Sequence, residues 1–318
     1  MYYIGIDLGG TNIAVGVVDE NYKVITKLST PTKAERPIEE VIADMAAAAR
    51  KCVKDAGLNL SDVEWVGVGC PGTINGETGV VEYSNNIKMK QVPMRDMLSK
   101  LLDNKHVCIE NDANAAAWGE FCAGAAKGTN SAVAITLGTG VGGGVIIDGR
   151  LYSGHNFAGG ELGHTVIEFD GRPCTCGRKG CWEAYASATG LVNITKDEMK
   201  KCPDSLMWKT VGGNIDRVGG KTAFDAMRAG DECGKKVVDM YINYLACGLV
   251  NIINIFQPEV VTISGGISKE GEYLTKPLQK IIERDRYSKY SESQTKVVIA
   301  SLGNDAGIIG AALLGKLY

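Results

Sequence analysis

A strand, a turn built of glycine and threonine, and a second strand occur twice in this chain, about one domain apart. The first copy is Tyr2–Asp7, Leu8-Gly9-Gly10-Thr11 and Ile13–Asp19; the second is Ser131–Leu137, Gly138-Thr139-Gly140 and Gly142–Ile147. Each strand is a short apolar run bounded by turn residues, and Asp148-Gly149 suits a tight hairpin after the second copy. The repeat suggests a duplicated fold. The 41 glycines bunch at the ends of such strands rather than in a linker. That distribution marks loops where the backbone approaches a ligand closely.

Around the two copies the pattern is α/β. Lys23–Ser29 reads as a third strand, and Pro37 opens a helix with Ile38, Val41, Ile42, Met45 and Ala49 on one face, closing at Gly57. Val63–Gly69 and Val107–Asn111 read as further strands. From Thr189 to Asp239 the pattern is mostly helical and polar, and Lys235–Phe256 is a long buried helix ended by Pro258. Val260–Ser264 runs into Gly265-Gly266, Val297–Leu302 is the last expected strand, and Asp305 is expected to cap a terminal helix, Ala306–Leu317. A chain of 318 residues exceeds one ordinary core, so two domains are expected.

Charge and hydropathy exclude some classes of function. The formal charge is −3 with no long run of one sign, which argues against a nucleic-acid or membrane-surface partner. The apolar stretches Leu245–Phe256 and Ala306–Leu317 are shorter than the ~20 residues of a bilayer span. With a strand starting directly after Met1, no signal peptide is expected, and the expected location is the cytoplasm. The ten cysteines then read as free thiols or metal ligands. Three of them cluster at Cys174, Cys176 and Cys181.

Three constellations carry chemistry. In Asp7–Thr11 the glycines let backbone N–H groups converge on a phosphate, the hydroxyl adds a donor, and the carboxylate suits magnesium or its waters. A plain glycine hairpin is the alternative, weakened by the similar Gly138–Gly144 turn, because a triphosphate needs more than one cradle. Glu110-Asn111-Asp112-Ala113-Asn114 ends a strand in a carboxylate that could take a proton from a reacting hydroxyl; the alternative is an Asp112 that merely caps a helix from Ala113. Glu161-Leu162-Gly163-His164 precedes Cys174-Thr175-Cys176 and Cys181. Three thiolates and one imidazole have the composition of a closed structural zinc site, with free core cysteines as the alternative.

The segments Asp7–Thr11, Gly138–Gly144 and Ser264-Gly265-Gly266 resemble the phosphate 1, phosphate 2 and adenosine segments of the actin-like ATPase and sugar kinase superfamily. Thr136–Gly144, continuing through Gly149, Gly154, Gly159-Gly160-Glu161 and Gly163-His164, resembles the signature of the ROK family, nearest to its glucose kinases. The resemblance implies the actin-like ATPase (ribonuclease H-like) fold, with two α/β domains around a cleft: 1–118 plus 302–318, and 119–301. It implies ATP-dependent phosphorylation of glucose to glucose 6-phosphate. ATP and magnesium are then expected on Asp7, Gly9, Gly10, Thr11, Asn12, Gly138, Thr139, Gly140, Gly265 and Gly266; Asn12 departs from many relatives, which carry lysine. Asp112 becomes the base, with Asn86, Asn111, Glu161, His164 and Glu183 on the sugar, and Gly72 near it.

By the same resemblance His164, Cys174, Cys176 and Cys181 hold a structural zinc that fixes Glu161, His164 and Glu183, and the chain is expected to be a homo-oligomer, a dimer. Fructose, mannose, allose or an N-acetylhexosamine is the alternative acceptor. A sugar-sensing ROK regulator would carry a winged helix-turn-helix ahead of the kinase-like part, and the phosphate turn at Asp7 leaves no room for one. A filament-forming actin-like protein would leave Glu161, His164, Glu183 and the thiols unexplained.

Overall fold

The structure, a computed structural model, describes residues 1–317. Tyr318, the last residue of the expected first domain, lies outside the described residues. In chain order the elements are β1 (Tyr2–Leu8), β2 (Asn12–Asp19), β3 (Val24–Pro31), α1 (Ile38–Asp55), β4 (Val63–Cys70), β5 (Thr73–Asn75), β6 (Val80–Ser84), β7 (Met89–Val92), α2 (Met94–Leu101), β8 (Val107–Asn111) and α3 (Asp112–Ala123). There follow β9 (Ala132–Leu137), β10 (Val141–Ile147), β11 (Arg150–Leu151), α4 (Glu183–Ala186), α5 (Ala188–Met199), α6 (Leu206–Thr210), α7 (Thr222–Arg228), α8 (Glu232–Phe256), β12 (Val260–Gly265), α9 (Glu272–Asp285), β13 (Lys296–Ile299) and α10 (Ala306–Ala312).

The two strand–turn–strand copies open two five-stranded sheets of matching order, β3-β2-β1-β4-β8 and β11-β10-β9-β12-β13. In the first, β1 pairs antiparallel with β2 and parallel with β4, and β4 pairs parallel with β8. In the second, β12 and β13 are parallel. A third, three-stranded sheet has the order β5-β6-β7. The matching strand order is what a duplicated α/β unit produces, and the architecture is that of the actin-like ATPase fold.

The chain divides into two compact units: Met1–Ala134, Gly144–Gly160 and Ala300–Tyr318 in one, Ile135–Gly143 and Glu161–Ile299 in the other. In the first, Ile4, Ile6, Ile13, Val15 and Val17 alternate along their strands to meet Val41, Ile42, Met45 and Ala49 of α1 in one buried core. Each such aliphatic side chain contributes about 1.5–3 kcal/mol on burial. On the opposite face α10 lies directly on the sheet, and two strand glycines make that possible. A Cβ on Gly5 would stand 1.9 Å from the Ile308 carbonyl oxygen, and one on Gly67 would stand 1.7 Å from that of Ala311.

In the second unit α8 packs against α5, α7 and α9. It is long and apolar enough to cross a membrane, with mean hydropathy 1.3, but 56% of that window is buried inside the protein, as in a core helix.

Some expectations need correction. Asp305 makes no capping bond; its carboxylate takes an ion pair from Lys27 at 2.7 Å, because its backbone is already helical. The terminal helix stops at Ala312 and a short 3₁₀ turn, Leu314–Lys316, follows. The last strand ends at Ile299, where the chain returns to the first unit. Cys202 and Cys233 are not free thiols but a disulfide, formed because the first turn of α8 comes back against the segment after α5.

Candidate active site

Each unit carries its own part of the machinery. In the first, the β1–β2 turn is closed by the Gly9 N–H donating to the Asn12 carbonyl at 2.9 Å. Thr32, fully buried at the end of β3, donates its hydroxyl to the Gly9 carbonyl at 2.6 Å, and its own N–H bonds the Thr11 carbonyl at 2.9 Å. The turn is therefore held from behind while Gly10, Thr11 and Asn12 remain exposed. Asn86, exposed in the β6–β7 loop, stands beside Gly10: a Cβ there would be 3.9 Å from that of Asn86.

Asp7 ends the apolar part of β1 with its carboxylate against the start of α10, where a Cβ on Gly307 would lie 2.4 Å from Oδ2. Burial, and then the charge of Asp112, pushes the Asp7 carboxyl up to about 6. The donor chemistry suits magnesium: a hard, poorly solvated carboxylate oxygen beside an exposed glycine turn.

Asp112 begins α3 at the end of β8. Burial raises its carboxyl above the ordinary range, opposed by the Ala113 N–H, which donates to Oδ1 at 2.9 Å. The helix cap is Asn111, not Asp112: Asn111 Oδ1 accepts from the N–H groups of Ala113 (2.9 Å) and Asn114 (3.2 Å). Its Nδ2 donates to the Gly72 carbonyl at 3.1 Å, which joins two of the residues expected near the sugar. Behind them Glu110, 1% exposed, accepts from the Asn111 N–H at 2.7 Å and Asn114 Nδ2 at 3.1 Å, and Ser153 Oγ donates to it at 3.3 Å.

In the second unit the β9–β10 turn is closed by the Gly138 N–H to the Gly140 carbonyl at 3.0 Å. The β12 end lies against it: Ser264 Oγ bonds Thr136 Oγ1 at 2.9 Å, and Gly265, at φ 93°, leaves only 2.2 Å between a would-be Cβ and the Leu137 carbonyl oxygen. The structure thus brings Gly265 and Gly266 to the turn that carries Gly138, Thr139 and Gly140.

His164, Cys174, Cys176 and Cys181 converge, with their ligand atoms all within 4.8 Å of one another. The Cys174-x-Cys176 spacing works because Cys174–Gly177 is a turn, closed by the Gly177 N–H to the Cys174 carbonyl at 3.0 Å, with Gly177 left-handed at φ 89°. A tetrahedral zinc, with bonds near 2.3 Å to sulfur and 2.0–2.1 Å to nitrogen, needs S···S of about 3.8 Å and S···N of about 3.6 Å. Cys176 and Cys181 Sγ are 3.7 Å apart, and Cys174 Sγ is 3.6 Å from His164 Nδ1. The donor set fits the ion. Using Nδ1 leaves Nε2 of the same ring for another partner, so the two roles expected of His164 are compatible.

His164 closes a single 3₁₀ turn, Leu162–His164, that Glu161 precedes; residues three apart align in such a turn. Glu161 is exposed. Glu183, half-buried at the start of α4, accepts from the Val141 N–H at 2.9 Å through Oε2, and Cys174 Sγ donates to Oε1 at 3.7 Å.

Thr32, Glu110 and Ser153 were not singled out by sequence reasoning. A threonine after a strand and a serine in a loop carry no signal; only Glu110, inside the Glu110–Asn114 motif, had one.

The ROK family model matches residues 3–317, and the chain belongs to the ROK family. It is 42% identical to a glucokinase of Thermotoga maritima, over 98% of this chain and 96% of that protein. It is 36% identical to a glucokinase of Halalkalibacterium halodurans, over 99% and 95%. Among solved structures, a ROK family glucokinase from Streptomyces griseus in complex with glucose and AMPPNP is 34% identical, with a TM-score of 0.82 and 99% of each chain covered.

Proposed function

We propose that this chain is an ATP-dependent sugar kinase that converts glucose to glucose 6-phosphate, acting in the cytoplasm, where its donor ATP is held. The observation that carries the reading is the Asp112 carboxylate. It sits at a strand end, with raised proton affinity, in electrostatic contact with Asp7 of a phosphate-type turn. The likeness to proteins named glucokinases supports glucose as the acceptor.

In this mechanism Asp112 accepts the proton of the attacking sugar hydroxyl as its oxygen bonds the γ-phosphorus. The bond from that phosphorus to the β-phosphate oxygen breaks, ADP leaves, and the proton passes to solvent. Backbone N–H groups of Gly10–Asn12 and of Thr139 and Gly140, with the Thr11 and Thr139 hydroxyls, hold the phosphates, and Gly265-Gly266 receives the adenosine. Asp7 would hold magnesium, which would supply positive charge against the phosphate charge that develops. Asn86, Asn111, Glu161, His164 and Glu183 bind sugar hydroxyls. A zinc ion on His164, Cys174, Cys176 and Cys181 is structural, since four protein ligands leave no open position.

The experiment is ADP release by the purified protein over a panel of hexoses and N-acetylhexosamines. Glucose should give the highest kcat/KM, because a site built to bond the carbon 2 hydroxyl leaves partners unpaired with an N-acetyl sugar. Fructose, mannose, allose or an N-acetylhexosamine outperforming glucose overturns the acceptor and leaves the kinase standing.

A further inference from the structure

The glycine turn of the second unit is laced to the segment that follows the cysteine cluster. Three bonds do this: Glu183 Oε2 accepts from the Val141 N–H at 2.9 Å, the Ala188 N–H donates to the Gly138 carbonyl at 2.9 Å, and Thr189 Oγ1 donates to the Thr139 carbonyl at 2.8 Å. Every residue from Gly138 to Val141 except Gly140 is gripped through its backbone. Gly140 is gripped by shape, because a Cβ there would stand 2.2 Å from Glu183 Oε2. Its φ is not in the left-handed region, so the close approach of Glu183 is what requires glycine at this position.

The gripping segment is itself buried and tightly packed. Cys181 and Trp182 are fully buried, and Trp182 Nε1 donates to the Tyr244 carbonyl of α8 at 2.9 Å. The indole lies where α8 offers Gly248, at which a Cβ would be 2.1 Å from the ring. Ser187 caps α5 through the Gly190 N–H at 2.9 Å and is buried. The turn thus inherits its position from α8 and the cysteine cluster through a chain of short contacts.

We propose that Glu183, assisted by Thr189, is a positioning residue for the nucleotide: it sets the backbone of the Gly138–Val141 turn for the ATP phosphates, in addition to its place at the sugar. With the Val141 N–H turned to Glu183 and the Gly138 N–H to the Gly140 carbonyl, the donors this turn offers a phosphate are the Thr139 and Gly140 N–H groups and the Thr139 hydroxyl. Pre-forming them spares the ordering cost that a glycine-rich loop otherwise incurs on binding. The inference rests on the assignment of this turn to the phosphates.

The test is calorimetric titration of the zinc-replete protein with magnesium and AMPPNP, without sugar, so that a sugar contact of Glu183 does not enter. Glu183→Ala should weaken AMPPNP binding by about 3- to 10-fold, the range of one hydrogen bond. Glu183→Gln should stay within about twofold of wild type, because a carboxamide oxygen still accepts from Val141. Thr189→Val, at an exposed position, should weaken AMPPNP by about 2- to 3-fold and raise the KM for ATP while leaving the KM for glucose unchanged. Equal AMPPNP affinity in Glu183→Ala and wild type, at matched zinc content, overturns the proposal. Failure of the wild type to bind AMPPNP overturns the phosphate assignment of the turn and the inference with it.

Discussion

The charge of the Asp112 carboxyl reaches that of Asp7: burial, and then the charge of Asp112, pushes Asp7 up to about 6. They come from the ends of β1 and β8, which flank β4 in the same parallel arrangement, so the sheet itself holds two acids at one edge. Two poorly solvated carboxyls in one field are costly to ionise together, an arrangement typical of sites where protons move.

Removing the base should act on turnover rather than binding. Asp112→Asn keeps the shape of the side chain and the bond from the Ala113 N–H, and should lower kcat by at least ~10²-fold while the KM for glucose changes far less. The wild-type kcat/KM should also fall on acidification at a pH above the ordinary aspartate value of about 3.9, since the raised carboxyl must be ionised to accept a proton. Steady-state kinetics across pH check both, and near-wild-type turnover of the variant would sink the assignment.

Asp7 should make stability fall with rising pH. Its folded-state value is raised from 3.8 to about 6, so its contribution is fully present below pH ~4 and lost as pH rises through about 6. The change from 3.8 to about 6 corresponds to up to about 3 kcal/mol, less what solvent screening of the partly exposed carboxyl removes. Asp7→Asn in magnesium-free buffer should therefore match wild type near pH 4 and exceed it above pH ~6.5. Thermal melting of both proteins over that range decides it; parallel curves refute the burial argument.

Zinc should be stoichiometric and structural. Elemental analysis of protein purified without added metal should give about one zinc per chain. Cys176→Ser should lose the metal, and with it the order of Glu161 and Glu183, because those residues flank the ligands directly. Metal-free wild-type protein with full activity and an unchanged melting temperature would contradict this.

Local pattern carried most of the fold and the identity of the candidate residues. Short apolar runs in Tyr2–Asp7 and Ile13–Asp19, the glycine turns after β1 and β9, and the run Glu110–Asn114 announce strands, phosphate-type loops and a carboxylate at a strand end. These are short-range signals, set by side-chain period and turn chemistry. Which group does which job was decided elsewhere. Asn111 rather than Asp112 caps α3, Asp305 pairs with Lys27 across 278 positions of sequence, Thr32 braces Gly9, and Glu183 reaches Val141 across 42. Each of these contacts joins residues whose spacing in the chain has no period to read. Strand order and helix packing set their distances, and only the folded chain determines which buried donor meets which acceptor.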